Sequence, residues 1–99
     1  MTEPLEALYP RIGQSVADLI DANWEEANIR VSIKPGVIQL KSSYTITDTK
    51  EVVSFAPNRS LVGLFRELHE RMVTELEDNW QTALFSLKPD GKFEIQFGY

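Results

Sequence analysis

Very few side chains in this sequence could carry covalent or metal chemistry. His69 is the only histidine, and the 99 residues include no cysteine. A Ser-His-Asp arrangement would therefore have to use His69, which falls in the middle of a predicted helix, beside its apolar stripe. We expect His69 to flank solvent there. Because zinc sites draw on several histidine or cysteine ligands, we also expect no metal ion and no cofactor, and the sequence disfavours an enzyme.

Carboxylates are the other candidate functional groups, and they fall into one set on each of two predicted helices. These candidate partner-binding residues are Asp18, Asp21 and Glu25 on helix one, and Glu67, Glu70 and Glu77 on helix two. Arginines can pair with acids four residues away on helix two, as in Arg66–Glu70, Glu67–Arg71 and Arg71–Glu75. Helix one offers only Arg11, so its acids are the better candidates for contact with a basic protein. A plain solvated face and acid–base catalysis are the alternatives.

The net charge of −5 bears on the class of partner. Negative charge repels nucleic acid and favours a basic protein partner, although it also keeps a small protein soluble. Arg30 and Lys41 are predicted to share the outward face of a sheet, where we expect them to aid solubility rather than to bind nucleic acid. No run of about 20 apolar residues could span a membrane, and residues 1–6 lack the basic region of a secretory signal. We therefore expect a cytoplasmic protein.

Apolar periodicity predicts helix one over residues 5–20. Pro10 should kink this helix, because proline removes a backbone hydrogen bond. One bent helix is favoured over a helix that starts at Pro10. Gly13 falls inside it, as Gly63 does in helix two, and close packing is the usual reason for a glycine inside a helix.

A second apolar stripe predicts helix two after the break at Pro57. Asn58 and Ser60 are the two candidate N-cap residues. The helix should end near Asp78, and its inward positions are Leu61, Leu64, Phe65, Leu68, Met72 and Leu76. Trp24 and Trp80, which follow the two helices, should seal the core, with anchoring of a partner as the alternative.

Alternation of polar and apolar residues predicts five strands. The first three form a meander over 28–33, 38–45 and 51–56, with Ser42 and Tyr44 turned inward. The last two form a hairpin around the turn Pro89-Asp90-Gly91, and the inward positions of its second strand are Phe93, Ile95, Phe97 and Tyr99. An isolated hairpin is marginally stable in water, so the preceding chain must cover this apolar face.

The resulting element order, α-β-β-β-α-β-β, predicts an α+β fold. We expect one domain over residues 1–99, with an antiparallel sheet of about five strands and two helices packed on one face. The order of the strands within the sheet stays open, because it depends on where the last hairpin docks.

Several segments of the chain resemble the YezG-like family of bacterial immunity proteins. The resemblance begins with an N-terminal helix containing Leu8-Tyr9 and Ile12, followed by Trp24-Glu25-Glu26-Ala27 at the entry to the first strand. It is stronger at the end of the chain, from Trp80 through Leu84-Phe85-Ser86-Leu87 to Asp90-Gly91-Lys92-Phe93 and the strand that follows.

The resemblance implies an antitoxin that binds and neutralises a cognate toxin, and many such toxins are nucleases with basic clefts. An acidic inhibitor suits such a partner electrostatically. Two other classes stay open. One is a small non-catalytic adaptor or chaperone-like module that recognises a peptide or domain through its sheet. The other is an enzyme or ligand-binding domain that uses a pocket between helices and sheet. A toxin-like gene next door would favour the first class.

Overall fold

A computed structural model describes residues 3–99 of the protein. Over these residues the chain forms a short 3-10 turn, two α-helices and five strands. In order they are the turn Leu5–Ala7, α1 Leu8–Leu19, β1 Trp24–Lys34, β2 Val37–Ile46, β3 Val52–Phe55, α2 Arg59–Leu76, β4 Thr82–Leu87 and β5 Phe93–Gly98. The predicted α+β class and the element order are confirmed.

The five strands form one antiparallel sheet in the order β3-β2-β1-β4-β5. β1 is central: Ile29 pairs with Ser42 of β2 on one side and with Phe85 of β4 on the other. The closing hairpin therefore docks on the edge of β1 that the meander leaves free. This result gives the strand order that the sequence left open, and it leaves β3 and β5 at the two edges.

The two faces of the sheet differ completely in character. Ala27, Ile29 and Val31 of β1 are fully buried in the same core cluster as residues of both helices. The alternate residues face away from the helices, and among them Arg30 lies directly opposite Lys41 of β2. Because side chains alternate along a strand, the sheet has one apolar face under the helices and one open polar face.

Helix α1 begins at Leu8 and buries Leu8, Ile12 and Val16 against the sheet. Pro10 lies in its first turn, where a missing N–H needs no partner. The sequence predicted a kink at Pro10, whereas the irregularity in the structure is the 3-10 turn that precedes α1. A start at Pro10 is wrong by two residues.

Helix α2 begins after Asn58, whose side-chain oxygen accepts a hydrogen bond from the Leu61 N–H at 2.8 Å. This geometry selects Asn58 over Ser60 as the N-cap. The predicted inward positions are buried from Leu61 to Met72, but Leu76 is 58 % exposed, contrary to the prediction. The reason is that Glu77 adopts a left-handed conformation and ends the helix, so Leu76 lies in a final turn without cover.

The two tryptophans have different surroundings. Trp80 is fully buried, and its indole N–H donates to Met72 Sδ at 3.2 Å, which confirms a core role. Trp24 opens β1 and is only half-buried. On β2, Ser42 is inward and 6 % exposed, as predicted.

The closing hairpin forms as predicted around Pro89-Asp90-Gly91. Asp90 Oδ1 accepts a hydrogen bond from the Lys92 N–H at 2.9 Å, and Gly91 has a φ of 92°. Ile95 and Phe97 pack against the core, but Tyr99 is 80 % exposed, so its predicted inward position is wrong. Tyr99 lies just past Gly98, the last residue of β5, and is therefore outside the alternation of the strand.

Neither helix in the described part of the chain is long and apolar enough to cross a membrane.

Candidate protein-binding surface

Trp24 lies where three connections of the fold meet. The register of β1 and β2 places Trp24 opposite Ile46. The Thr47 N–H then donates to the Asn23 carbonyl at 3.0 Å, which holds the β2–β3 turn beside the α1–β1 loop. We call this region, Asp18 with residues 21–24 and 47–48, the tryptophan end of the molecule.

Trp24 lies between two surface depressions. One, of about 260 Å³, runs between α1 and the closing hairpin, and its lining includes Tyr9, Gly13 and Ala17. The other, of about 340 Å³, is lined by residues 22–24, residues 47–48 and Pro89. The indole therefore presents part of its surface between two concave areas, an arrangement suited to side chains from another protein.

Tyr9 adds a hydrogen-bonding group to the first of these depressions. Its ring stacks on Phe93 with the ring centres 5.4 Å apart. Burial raises the pKa of the Tyr9 phenol above its ordinary value, and the carboxylates of Glu6 and Asp78 add to the effect. The phenol therefore stays protonated at neutral pH and can donate a hydrogen bond to a bound group.

The carboxylates of the tryptophan end lack ionic partners. Gln14 Nε2 donates to Asp18 Oδ1 at 2.8 Å, while Asp21 and Asp48 are exposed. Within residues 3–99, no salt bridge reaches any of these three carboxylates. Their charges are consequently available to a cationic partner.

Two details of the predicted acidic face on helix one are wrong. Helix α1 ends at Leu19, and Ile20 is already extended, so Asp21 lies in the following loop and Glu25 lies in β1. Glu25 also has a partner that the sequence did not indicate: Lys50 Nζ lies 2.7 Å from its Oε1. Only Asp18 of this set is on the helix.

The second predicted set of acids lies elsewhere on the molecule. Glu67 and Glu70 are exposed on α2, and Glu77 is its left-handed C-cap residue. Glu70 shares a depression with Lys34 and the start of β2, at the opposite end of β1 from Trp24. The six predicted acids therefore form no single surface.

Only one of the three ion pairs predicted within α2 forms. Arg71 Nε lies 2.6 Å from Glu75 Oε2, as predicted, and this contact raises the pKa of the guanidinium. The structure of residues 3–99 contains neither the Arg66–Glu70 nor the Glu67–Arg71 pair. The prediction paired Arg71 with both Glu67 and Glu75. In the structure Arg71 pairs with Glu75, the acid on its C-terminal side.

His69 has a structural role that the sequence did not reveal. It is half-buried rather than flanking solvent, and its Nε2 lies 3.0 Å from the Trp80 carbonyl oxygen. Its ring meets the Trp80 ring edge-on, with centres 4.8 Å apart. Because a carbonyl can only accept a hydrogen bond, Nε2 carries the proton here, and His69 ties α2 to the start of β4.

The open face of the sheet is the other surface with a distinctive composition. Arg30 and Lys41, directly opposite each other, border a shallow depression of about 420 Å³ together with Asn28, Ser43 and Ser54. Like charges placed opposite each other on a sheet are destabilising. In the described residues neither base forms a salt bridge.

Asp48 is the member of the tryptophan end that the sequence reasoning missed. Residues 47–50 were predicted to be a turn, but nothing connected that turn with Trp24. Counting outward from the turn at Pro35 and Gly36, with Lys34 opposite Val37, brings Asn23 opposite Asp48. This count indicates that the two loops meet, although the register shift between Trp24 and Glu26 moves the partner of Asn23 by one residue, to Thr47.

Residues 3–99 contain no group of three or more histidine, cysteine, aspartate or glutamate residues placed to hold a metal ion. A scan of the sequence against protein-family models gave no match, and a search of curated proteins gave none either.

Proposed function

We propose that the protein is an immunity protein, or antitoxin, that binds a cognate bacterial toxin stoichiometrically in the cytoplasm and so neutralises it. The observation that carries this proposal is Trp24, half-buried between two depressions, one of which is also lined by Asp48. Asp18 and Asp21 precede Trp24 closely in the chain, and none of the three carboxylates has an ionic partner in residues 3–99. Tryptophans in such positions are frequent hot spots of protein interfaces. The resemblance to YezG-like immunity proteins, which includes Trp24 itself, supports the same function.

Electrostatics favours a toxin with a basic surface, such as the cleft of a nuclease. The three carboxylates of the tryptophan end would pair with lysine or arginine side chains, and the net charge of −5 would speed association. Glu25 contributes less than the sequence suggested, because it already pairs with Lys50. Glu67, Glu70 and Glu77 lie outside this surface and serve as internal controls.

The first experiment tests neutralisation itself. The neighbouring gene is expressed in a susceptible host, with and without this protein. We expect expression of the neighbour to stop growth and co-expression to restore it. Failure of co-expression to restore growth, or a neighbour without toxicity, would count against an immunity function.

The second experiment tests the surface. In the variant Asp18→Lys with Asp21→Lys, we expect affinity for the toxin to fall about tenfold or more at low salt, and less at high salt where the charges are screened. The matched control is Glu67→Lys with Glu70→Lys, which makes the same change in charge on α2 and should bind nearly as wild type. Both affinities are measured by calorimetry on variants with native circular dichroism. Equal losses in the two variants would contradict this placement of the interface.

A second candidate function is a small non-catalytic adaptor or chaperone-like module that binds through the open sheet face. The specific observation in its favour is that Arg30 and Lys41 lie directly opposite each other and that neither forms a salt bridge within residues 3–99. Such a module would bind acidic partners. In that case Arg30→Glu with Lys41→Glu would abolish binding, whereas the Asp18 and Asp21 substitutions would leave it unchanged.

A further inference from the structure

The two edges of the sheet are unequal, and β5 is the less protected edge. β3, at the other edge, has only four residues and is followed, after Ala56, by Pro57. β5 runs from Phe93 to Gly98 without a proline and without a shift in its register against β4. Short strands, prolines, bulges and charged side chains are the usual devices that prevent an edge from pairing with another chain. β5 is longer than β3, has no proline and no bulge, and has Glu94 as its one charged residue.

The hydrogen-bonding pattern shows which backbone groups of β5 are free. The Lys88 N–H donates to the Lys92 carbonyl at 2.8 Å, so hydrogen-bonded positions alternate from that pair along the antiparallel ladder. Glu94 and Gln96 therefore direct their backbone groups toward β4. Phe93, Ile95 and Phe97 direct theirs away from it, and no turn, loop or cap hydrogen bond among residues 3–99 uses them.

The charge of this region indicates what kind of partner can approach. In residues 81–99, Lys88 and Lys92 balance Asp90 and Glu94, so the rest of the sequence carries the whole net charge of −5. A basic partner would gain nothing at a neutral edge. A second copy of this chain could approach along β5, although the remainder of the two molecules would repel it.

We propose that β5 pairs with β5 of a second copy, antiparallel and about a two-fold axis at Ile95. In this register the outward-directed backbone groups of Phe93, Ile95 and Phe97 meet the same groups of the second copy. Phe93, which is 39 % exposed, lies opposite Phe97 of the second copy on the helix face. On the open face Glu94 lies opposite Gln96 of the second copy, so no like charges are opposed. The strand is thus self-complementary, as a two-fold interface requires.

The first test is the solution mass of the purified protein without any toxin, which separates this proposal from the proposed function. We expect sedimentation to show a monomer that converts to a dimer as concentration rises. Ile95→Pro removes an N–H that β4 does not use, and proline is tolerated on edge strands, so this variant should fold and stay monomeric. The matched control, Ile95→Ala, also shortens the side chain but keeps the N–H, and it should still dimerise.

A wild-type protein that is monomeric at every concentration would overturn the proposal, and so would a folded Ile95→Pro variant that dimerises as wild type does. The register has its own test on exposed residues. Gln96→Lys would place a lysine opposite Glu94 of the second copy and should tighten the dimer roughly threefold. Adding Glu94→Lys should reverse this gain, because lysines would then be opposed. A Gln96→Lys variant that dimerises less tightly than wild type would exclude this register.

Discussion

The residue type at position 98 of the closing hairpin is restricted by Thr82, the residue opposite it. It pairs with Thr82 across β4 and β5, and a Cβ added at Gly98 would collide with the Thr82 side-chain oxygen. Threonine is stiff about χ1 because it is branched at Cβ, so the clash is not relieved by a small rotation. A glycine in a strand normally weakens it, and here the facing threonine explains its presence.

The residue-scale prediction is therefore a coupling between these two positions. Gly98→Ala should lower the free energy of unfolding by about 1 kcal/mol or more, since a side chain is forced against Thr82. In a Thr82→Ala background the same substitution should cost little. Urea denaturation of the wild type, the two single variants and the double variant measures the coupling. Additive effects would show that Thr82 is not the obstacle.

The partners of individual site residues were the part of the site that the sequence predicted least well. Trp24, Asp18 and Asp21 were identified from residue type and charge. Glu25 forms an ion pair with Lys50, and the turn that contains Asp48 lies beside Asn23. Both contacts result from strand pairing between residues that are far apart in the chain. Local spacing carries no information about such pairs, and His69 was misplaced for the same reason.

Most of the secondary structure followed from periodicity. The apolar stripe of α2 placed five of its six predicted inward residues correctly, because a 3.6-residue repeat is unambiguous over five turns. The ends were harder. No glycine or proline follows Leu19 to mark the end of α1. The apolar periodicity ended the helix within one residue of Leu19, yet Asp21 and Glu25 were assigned to a helical face that stops before them.

Gly63 gives the element-scale prediction. Close packing was expected at both helical glycines, but a methyl group at Gly63 would meet no atom within 4 Å, so the expectation is wrong there. Glycine inside a helix costs about 0.5–1 kcal/mol relative to alanine. Gly63→Ala should therefore raise the free energy of unfolding by about that amount, as measured by thermal or urea denaturation.

Gly13 supplies the matched control. An added Cβ there would lie 3.4 Å from Leu87 Cδ1, so close packing against β4 is real at this position. Gly13→Ala should stabilise α1 less than Gly63→Ala stabilises α2, because the gain in helix propensity is offset by crowding. A larger gain at Gly13 than at Gly63 would contradict this explanation.

At the scale of the whole molecule, the number and order of elements were predictable and the strand order was not. The closing hairpin could have docked on either edge of the predicted meander. It joins β1, where Ala27, Ile29 and Val31 offer a continuous apolar row, and this choice makes β1 the central strand. Burial of apolar area decides such alternatives, but it emerges only when both helices and the sheet are assembled.

This placement also separates the surfaces of the molecule. The depression beside Glu70 lies at the opposite end of β1 from the tryptophan end, and the open sheet face lies on the side away from the helices. The β5 edge begins at Phe93, which also lines the depression between α1 and the closing hairpin. Binding of a toxin at the tryptophan end would therefore leave the open sheet face uncovered. The six acids that looked equivalent in the sequence form no single surface, since Glu70 lies at the opposite end of β1 from Trp24, and they need not act together.

The central position of β1 has a consequence for the order in which the chain folds. The β1–β2–β3 meander closes through short loops, whereas β4 can reach β1 only after all of α2 has been traversed. Short loops close more readily than long ones, so we expect the meander to form first with the central strand β1 still unpaired along one side. Aggregation is favoured at that stage. Substitutions that weaken the last hairpin, such as Gly98→Ala, should lower the refolding yield at high protein concentration, and dilution should restore it.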